Sequence, residues 1–239
     1  MKNIILGVIV VLVVYMAYSY FFVDHTQANL VGLHNAKKLV RIENTSLPSN
    51  AGSVDYSVSL WLYINTFNYR HGEEKTILYR GDDKKKNPSA KQSPVLTLGG
   101  STNTLTLQTL LFGDSKGAKD KMSSPCQISN IPLQKWVHIL FTTNSRSMDM
   151  YLDGKLVKTC MLGGVPKIDK SKPMILTPDG GFSGYTSKLR YFARSIDPRE
   201  VYSIYQEGYS ESYLGGLLSK YKLKLSFMKG TEEVQSISI

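Results

Sequence analysis

The 239-residue chain has few of the residues that build metal centres and acid catalysts. Its two cysteines, Cys126 and Cys160, cannot alone complete the four-ligand cage of a structural zinc site. The four histidines, His25, His34, His71 and His138, show no spacing suited to zinc either. Acidic residues number 19 against 29 lysines and arginines, giving a formal net charge of +10. Those acids are scattered: Glu73-Glu74 and Asp82-Asp83 fall in turn-like sequence, and Glu232-Glu233 lies near the end. Paired acids in turns are usually solvated surface, which argues against carboxylate catalysis. The positive balance favours acidic partners such as phospholipid head groups, acidic proteins, nucleic acid or anionic glycans, without choosing among them. Nucleic acid ranks low because the lysines fall in loops without interleaved aromatics.

Apolar residues are not scarce. They make up 42% of the chain, with 15 tyrosines and 8 phenylalanines, ample for a buried core and incompatible with global disorder. Ile4 to Val23 is a run of 20 residues without a charge, long enough to cross a bilayer core of about 30 Å as a helix. Ile4, Leu6, Val10, Val14, Tyr18 and Phe22 are the expected anchor residues, with tyrosines gathered where head groups would lie. A cleaved signal peptide fits less well, because its apolar core is usually about 7–15 residues followed by small residues. The lipid bilayer is therefore an expected partner, reached through a single N-terminal pass. Lys2 on one side is matched by Lys37, Lys38 and Arg41 on the other, so the charge rule gives no orientation.

Residues 24–53 read as a polar stalk, with a short β segment around Leu39 to Ile42. After it, VDYSVSLWLYI alternates strictly: Val54, Tyr56, Val58, Leu60, Leu62 and Ile64 against Asp55, Ser57, Ser59, Trp61 and Tyr63. That pattern suits a strand inside a two-sheet sandwich. WVHILFTT sets Val137, Ile139 and Phe141 against His138, Leu140 and Thr142, and MDMYL puts Met148, Met150 and Leu152 on one face. Asp153-Gly154 is a strong hairpin signal, and KLVKTC is the return strand. Between strands, residues 82–94 form a charged loop in which Lys84, Lys85, Lys86 and Lys91 are a candidate basic docking patch, a solvated loop being the plainer reading. Asp197-Pro198 reads as a helix start and Gly208 as its stop. Beyond Gly208, alternating sequence predicts a C-terminal hairpin with a turn at Lys229-Gly230.

Three stretches, SVSLWLYI, IPLQKWVHILFTTNSRSMDMYLDGKLV and GFSGYTSKLRYFARSIDPREVYSIY, together resemble the laminin-G-like, concanavalin A-like lectin family. The resemblance implies an all-β fold, an antiparallel two-sheet jelly roll over residues 54–208. On this reading one transmembrane helix (1–23) and the stalk (24–53) precede the jelly roll, and a hairpin extension (209–239) follows it. A narrower likeness, through the anchor, the stalk, CQISNIPLQKW and LDGKLVKTCMLGGVPK, is to membrane-anchored lectin-like proteins of large nucleocytoplasmic DNA viruses.

Glycoside hydrolases on this scaffold resemble one another by a Glu-x-Asp-x-Glu strand, and this chain lacks it. Some family members bind calcium through loop acids; Asp153 and Asp179 are the nearest equivalents and keep calcium as an alternative, but each has a sufficient role as a turn residue, so the expectation is no cofactor. Cys126 and Cys160 are a disulfide candidate, with two buried thiols as the alternative. Trp61, opposite in parity to the apolar face, is the candidate for stacking on a sugar, although packing is the competing role; Trp136 reads as a core anchor. Two function classes follow. The first is a non-enzymatic virion protein linking an internal membrane to capsid subunits, and the second a surface lectin for host glycans.

Overall fold

The alternation in residues 57–66 and 136–144 becomes the central strand pair of a seven-stranded sheet. The structure is a computed structural model that describes residues 9, 11–16, 26–49, 53–82, 91–113 and 119–210, with the backbone alone of 224–229 and 232–238. Strands β1 (Gln27–Val31), β2 (His34–Asn35), β3 (Val40–Ile42), β4 (Ser57–Thr66), β5 (Lys75–Arg80) and β6 (Val95–Leu98) come first. β7 (Leu105–Gln108), β8 (Leu110–Leu111), β9 (Lys121–Met122), β10 (Cys126–Ile128), β11 (Trp136–Asn144) and β12 (Ser147–Leu152) follow. The remainder are β13 (Lys155–Met161), β14 (Pro166–Lys167), β15 (Met174–Leu176), β16 (Ser183–Phe192), β17 (Lys224–Lys229) and β18 (Glu232–Ser238).

The larger sheet runs β1-β16-β4-β11-β12-β13, with β2 also on β16, and the second runs β10-β7-β6-β5-β15-β3. Every pairing is antiparallel, as sandwiches of this kind require. The register of β4 on β11 sets Leu60 opposite Ile139 and Val58 opposite Phe141, all completely buried between the sheets. Ile77, Leu98, Leu105, Leu107, Met174 and Leu176 meet them from the second sheet. Full burial of such side chains contributes roughly 1.5–3 kcal/mol each, so the period of two in the sequence largely fixes the core. The Asp153-Gly154 turn has φ of 48° and 74° at its two residues, the left-handed pair that a tight hairpin between β12 and β13 needs.

Of the segment expected to be a polar stalk, the described residues are built into the sandwich. β1 pairs with β16 from Gln27–Phe192 to Val31–Leu189, and β3 pairs with β15. The sandwich therefore begins near residue 27. β3 is the short β segment expected around Leu39 to Ile42, whereas the sequence conceals β1, a short strand whose partner β16 lies far along the chain. Of the expected anchor, Val14 falls in the helical stretch 11–16, whose apolar side chains are exposed, while Ile4, Leu6, Val10, Tyr18 and Phe22 lie outside the described residues. Among the described residues no helix is long and apolar enough to cross a membrane. β17 and β18 pair antiparallel from Lys224–Ser238 to Lys229–Glu232.

Cys126 and Cys160 form a disulfide with their Cα atoms 5.9 Å apart. Cys126 lies on β10 and Cys160 on β13, the outermost strands of the two sheets along one side of the sandwich. The bond closes a loop with a sequence separation of 34. In the chain-entropy account that is worth about 3–4 kcal/mol. Reduction, or replacement of both cysteines by serine, is expected to lower unfolding free energy by that amount in urea titrations; unchanged stability would show that the bridge leaves the unfolded chain unrestrained.

Candidate functional site

The outer face of the larger sheet carries the residues of opposite parity to the core: Ser57, Ser59, Trp61 and Tyr63 on β4, and Trp136, His138, Leu140 and Thr142 on β11. Such a face is ordinarily polar, and here it is half covered. Residues Pro198–Gln206 form a helix that starts where Asp197 accepts hydrogen bonds from the backbone N–H groups of Arg199 (2.8 Å) and Glu200 (3.0 Å), with Pro198 in the first turn. Those two N–H donors hold the Asp197 carboxyl below its usual range. Val201 and Ile204 pack onto Leu140, Tyr151, Phe192 and Ile196 in a second apolar cluster. Gly154, at φ of 74°, makes room for the helix, because a Cβ there would lie 3.0 Å from the Tyr205 ring.

The chain beyond the helix is clamped to the same face. Arg190 forms a two-pronged ion pair with Glu207, and Lys188 donates to the Glu207 carbonyl at 3.2 Å. Ser187 donates to the Tyr209 carbonyl at 2.7 Å. As a result Tyr205 stacks over Trp61 with centroids 5.6 Å apart, and Tyr209 stacks on Trp136 at 4.7 Å with the rings 10° from parallel. Trp61 is only 6% exposed and forms the floor of this layer. Trp136 does not anchor the core between the sheets. Its parity is that of His138 and Leu140, so it stands on the outer face against Tyr63 at 5.5 Å.

Where the covering layer ends, Leu33, Tyr63, Asn65, Trp136, Tyr185, Tyr209 and Ser210 line a groove of about 650 Å³. Among the described residues no charged side chain lines it. Its lip is exposed, Tyr185 at 46% and Leu33 at 65%. Flat rings over an open, neutral surface suit a ligand with apolar faces and hydroxyl or amide edges, since tyrosine adds a polar handle to each ring.

His138 is completely buried beneath Trp61, with Nε2 2.8 Å from Ser59 Oγ and Nδ1 without a hydrogen-bond partner. Burial, aided by the charge of Arg190, pushes its imidazole down to about 3. Asp153 is committed to the hairpin: its carboxylate accepts from the His138 N–H at 2.9 Å. The Asp179 carbonyl accepts from Arg70 at 2.6 Å. Among the described residues no three His, Cys, Asp or Glu side chains converge on a point that could hold a metal ion. Lys91 pairs with Asp120 at 3.4 Å, whereas Lys84, Lys85 and Lys86 lie outside the described residues. The groove itself was missed from the sequence, although the parity shared by Trp61, Tyr63 and Trp136 across an antiparallel pair was the signal for it.

A family model described as the concanavalin A-like lectin/glucanases superfamily matches residues 35–202. Among solved structures, the receptor binding domain of botulinum neurotoxin C/D mosaic serotype is similar at a TM-score of 0.53 and 16% identity, with 76% of this chain and 44% of that chain covered. The botulinum neurotoxin serotype G binding domain gives 0.50 and 14%, with 77% and 50% covered. The chain thus spans about half the length of these structures, and at such identities the likeness is one of fold. No curated protein sequence matches it.

The imidazole yields a pH dependence. Between about pH 6.5 and 3 the unfolded chain binds a proton at residue 138 that the folded chain refuses, so this contribution is intact above 6.5 and is lost as pH falls through that window. The slope is about 1.4 kcal/mol per pH unit at most. Urea unfolding across this range is expected to show a flatter profile for His138→Gln, which keeps an acceptor for Ser59. An unchanged profile would place the acid sensitivity elsewhere.

Proposed function

Since the chain belongs to the concanavalin A-like lectin/glucanases superfamily, we propose that it is a non-enzymatic, membrane-tethered interaction protein whose sandwich presents the aromatic groove to a partner. The observation that carries this is the lining of the groove: Trp136 and three tyrosines with Asn65 and, among the described residues, no carboxylate. Glycosidic hydrolysis on a sandwich needs two carboxyl groups within about 5–10 Å flanking the bond, and this surface offers rings instead. Stacked, partly exposed aromatics of this kind are the residues that dominate recognition energetics.

The tether is the uncharged run Ile4–Val23. With it, the protein reads as a virion component joining an internal membrane to capsid subunits, a setting that matches the viral likeness of the sequence. Strand register supports the geometry. Gln27, Ser57, Thr142 and Phe192 share one end of the larger sheet, the near end at which the chain arrives, while Tyr63, Trp136 and Tyr185 share the far end. A groove at the far end points away from a membrane attached at the near end.

A second reading, a surface lectin for host glycans, is favoured by the parallel Trp136–Tyr209 stack, which offers a sugar ring a flat apolar seat. One experiment separates the two. A photo-crosslinking amino acid at Tyr185 in the full chain is expected to capture a capsid subunit in purified particles. Trp136→Ala is expected to weaken that capture about tenfold or more. A glycan-array signal abolished by the same substitution, without protein capture, would establish the lectin instead. Absence of both would remove the groove as a recognition site.

A further inference from the structure

The near end of the sandwich carries a second surface of different chemistry. Beyond the ends of the main sheets, β14, β8 and β9 form a small sheet of their own, with Lys167 opposite Leu110 and Leu110 opposite Met122. Hydrogen bonds place it at the end where the chain arrives. Thr109, next to β8, bonds the Tyr56 hydroxyl at 2.9 Å; Ser57 donates to the Arg194 carbonyl at 2.8 Å; and Arg194 donates to Thr26 Oγ1 at 3.1 Å. Phe112 and Met122 are 46% and 39% exposed here, and Lys119 and Lys121 stand exposed beside them. Lys167 covers the Phe112 ring at 5.2 Å. The one acid among the described residues of this surface, Asp120, is held by Lys167 at 2.8 Å, by Lys91 at 3.4 Å and by the Gly113 N–H. These contacts hold its carboxyl down to about 2, so it stays charged and paired.

From these observations we infer that the β8–β9–β14 face docks on an anionic bilayer, with Phe112 and Met122 entering the interface and Lys119 and Lys121 over the head groups. The inference rests on the membrane tether in the proposed function. Because β1 begins at Gln27 and no stalk intervenes, only Asp24, His25 and Thr26 separate the sandwich from Val23. Four steps of extended chain reach roughly 14 Å, which keeps the near end within one to two screening lengths of the head groups. Lysines flanking an aromatic and a thioether suit that boundary, where rings and apolar chains enter the acyl edge and ammonium groups meet lipid phosphate. A nucleic acid would satisfy the charges but would leave Met122 without a counterpart.

With Cys126 and Cys160 paired, Met122→Cys gives the described residues a single thiol that can carry an environment-sensitive fluorophore. The labelled full chain is mixed with phosphatidylcholine vesicles or with vesicles containing about a third phosphatidylserine, and each sample is floated. A blue shift confined to the anionic vesicles is expected, absent in Lys119→Glu/Lys121→Glu, reversed by high salt, and absent from a label at Val157→Cys on the edge strand β13. Flotation on neutral vesicles reads the tether alone, so its failure sinks the tether while the shift still reports on docking. Identical spectra on both lipids would overturn the docking, as would a shift evoked by an oligonucleotide or an acidic peptide without lipid.

Discussion

The pairing of β4 with β11 is the constraint on which the rest of the molecule depends. Its inner face is sealed by the second sheet through Val58, Leu60, Ile139 and Phe141. Its outer face is sealed over much of its length by the helix and by Tyr205 and Tyr209. A strand pair buried on both sides cannot slip by one residue, because the slip would carry Ser59 and His138 into the apolar core. The fixed register then places Trp61 opposite His138 and Tyr63 opposite Trp136, and so decides where the aromatic layer and its open groove lie.

Much of the fold was legible in the sequence. The alternations around Leu60 and Ile139, the Asp153-Gly154 turn and the Asp197-Pro198 helix start are local patterns with local causes, and each stands where its chemistry puts it. The site was legible only in part. The parity of Trp61 was plain, but what lay over it was not, because the helix reaches that face through long-range ties such as Arg190 to Glu207 and Ser187 to Tyr209. Trp136 was read as a core residue from its position at a strand start, although its parity with His138 already assigned it to the outer face. The β3 strand stands where a short β segment was expected, but β1 was hidden for a related reason: a short segment such as QANLV becomes a strand only through a partner distant in sequence.

The charged residues divide along the same lines. Arg190 and Arg194 serve as struts, each gripping one glutamate of the C-terminal helical region, Glu207 and Glu200, so these cations are spent on architecture. Lys121 on β9 and Lys119 just before it stand exposed instead. The positive excess that composition alone could not assign is thus unevenly distributed between bracing within the domain and exposed surface.

The edge strand β1 has a mechanical consequence. Its Gln27 end lies with Phe192 at the near end, and its Val31 end lies toward Leu33 and the groove. A tug on the arriving chain, resisted by whatever holds the far end, would act along the strand axis. The β1–β16 hydrogen bonds would then be strained side by side in shear rather than opened one after another like a zip. A domain pulled in that direction resists having β1 stripped from β16 far better than the modest strength of any one of those bonds would suggest.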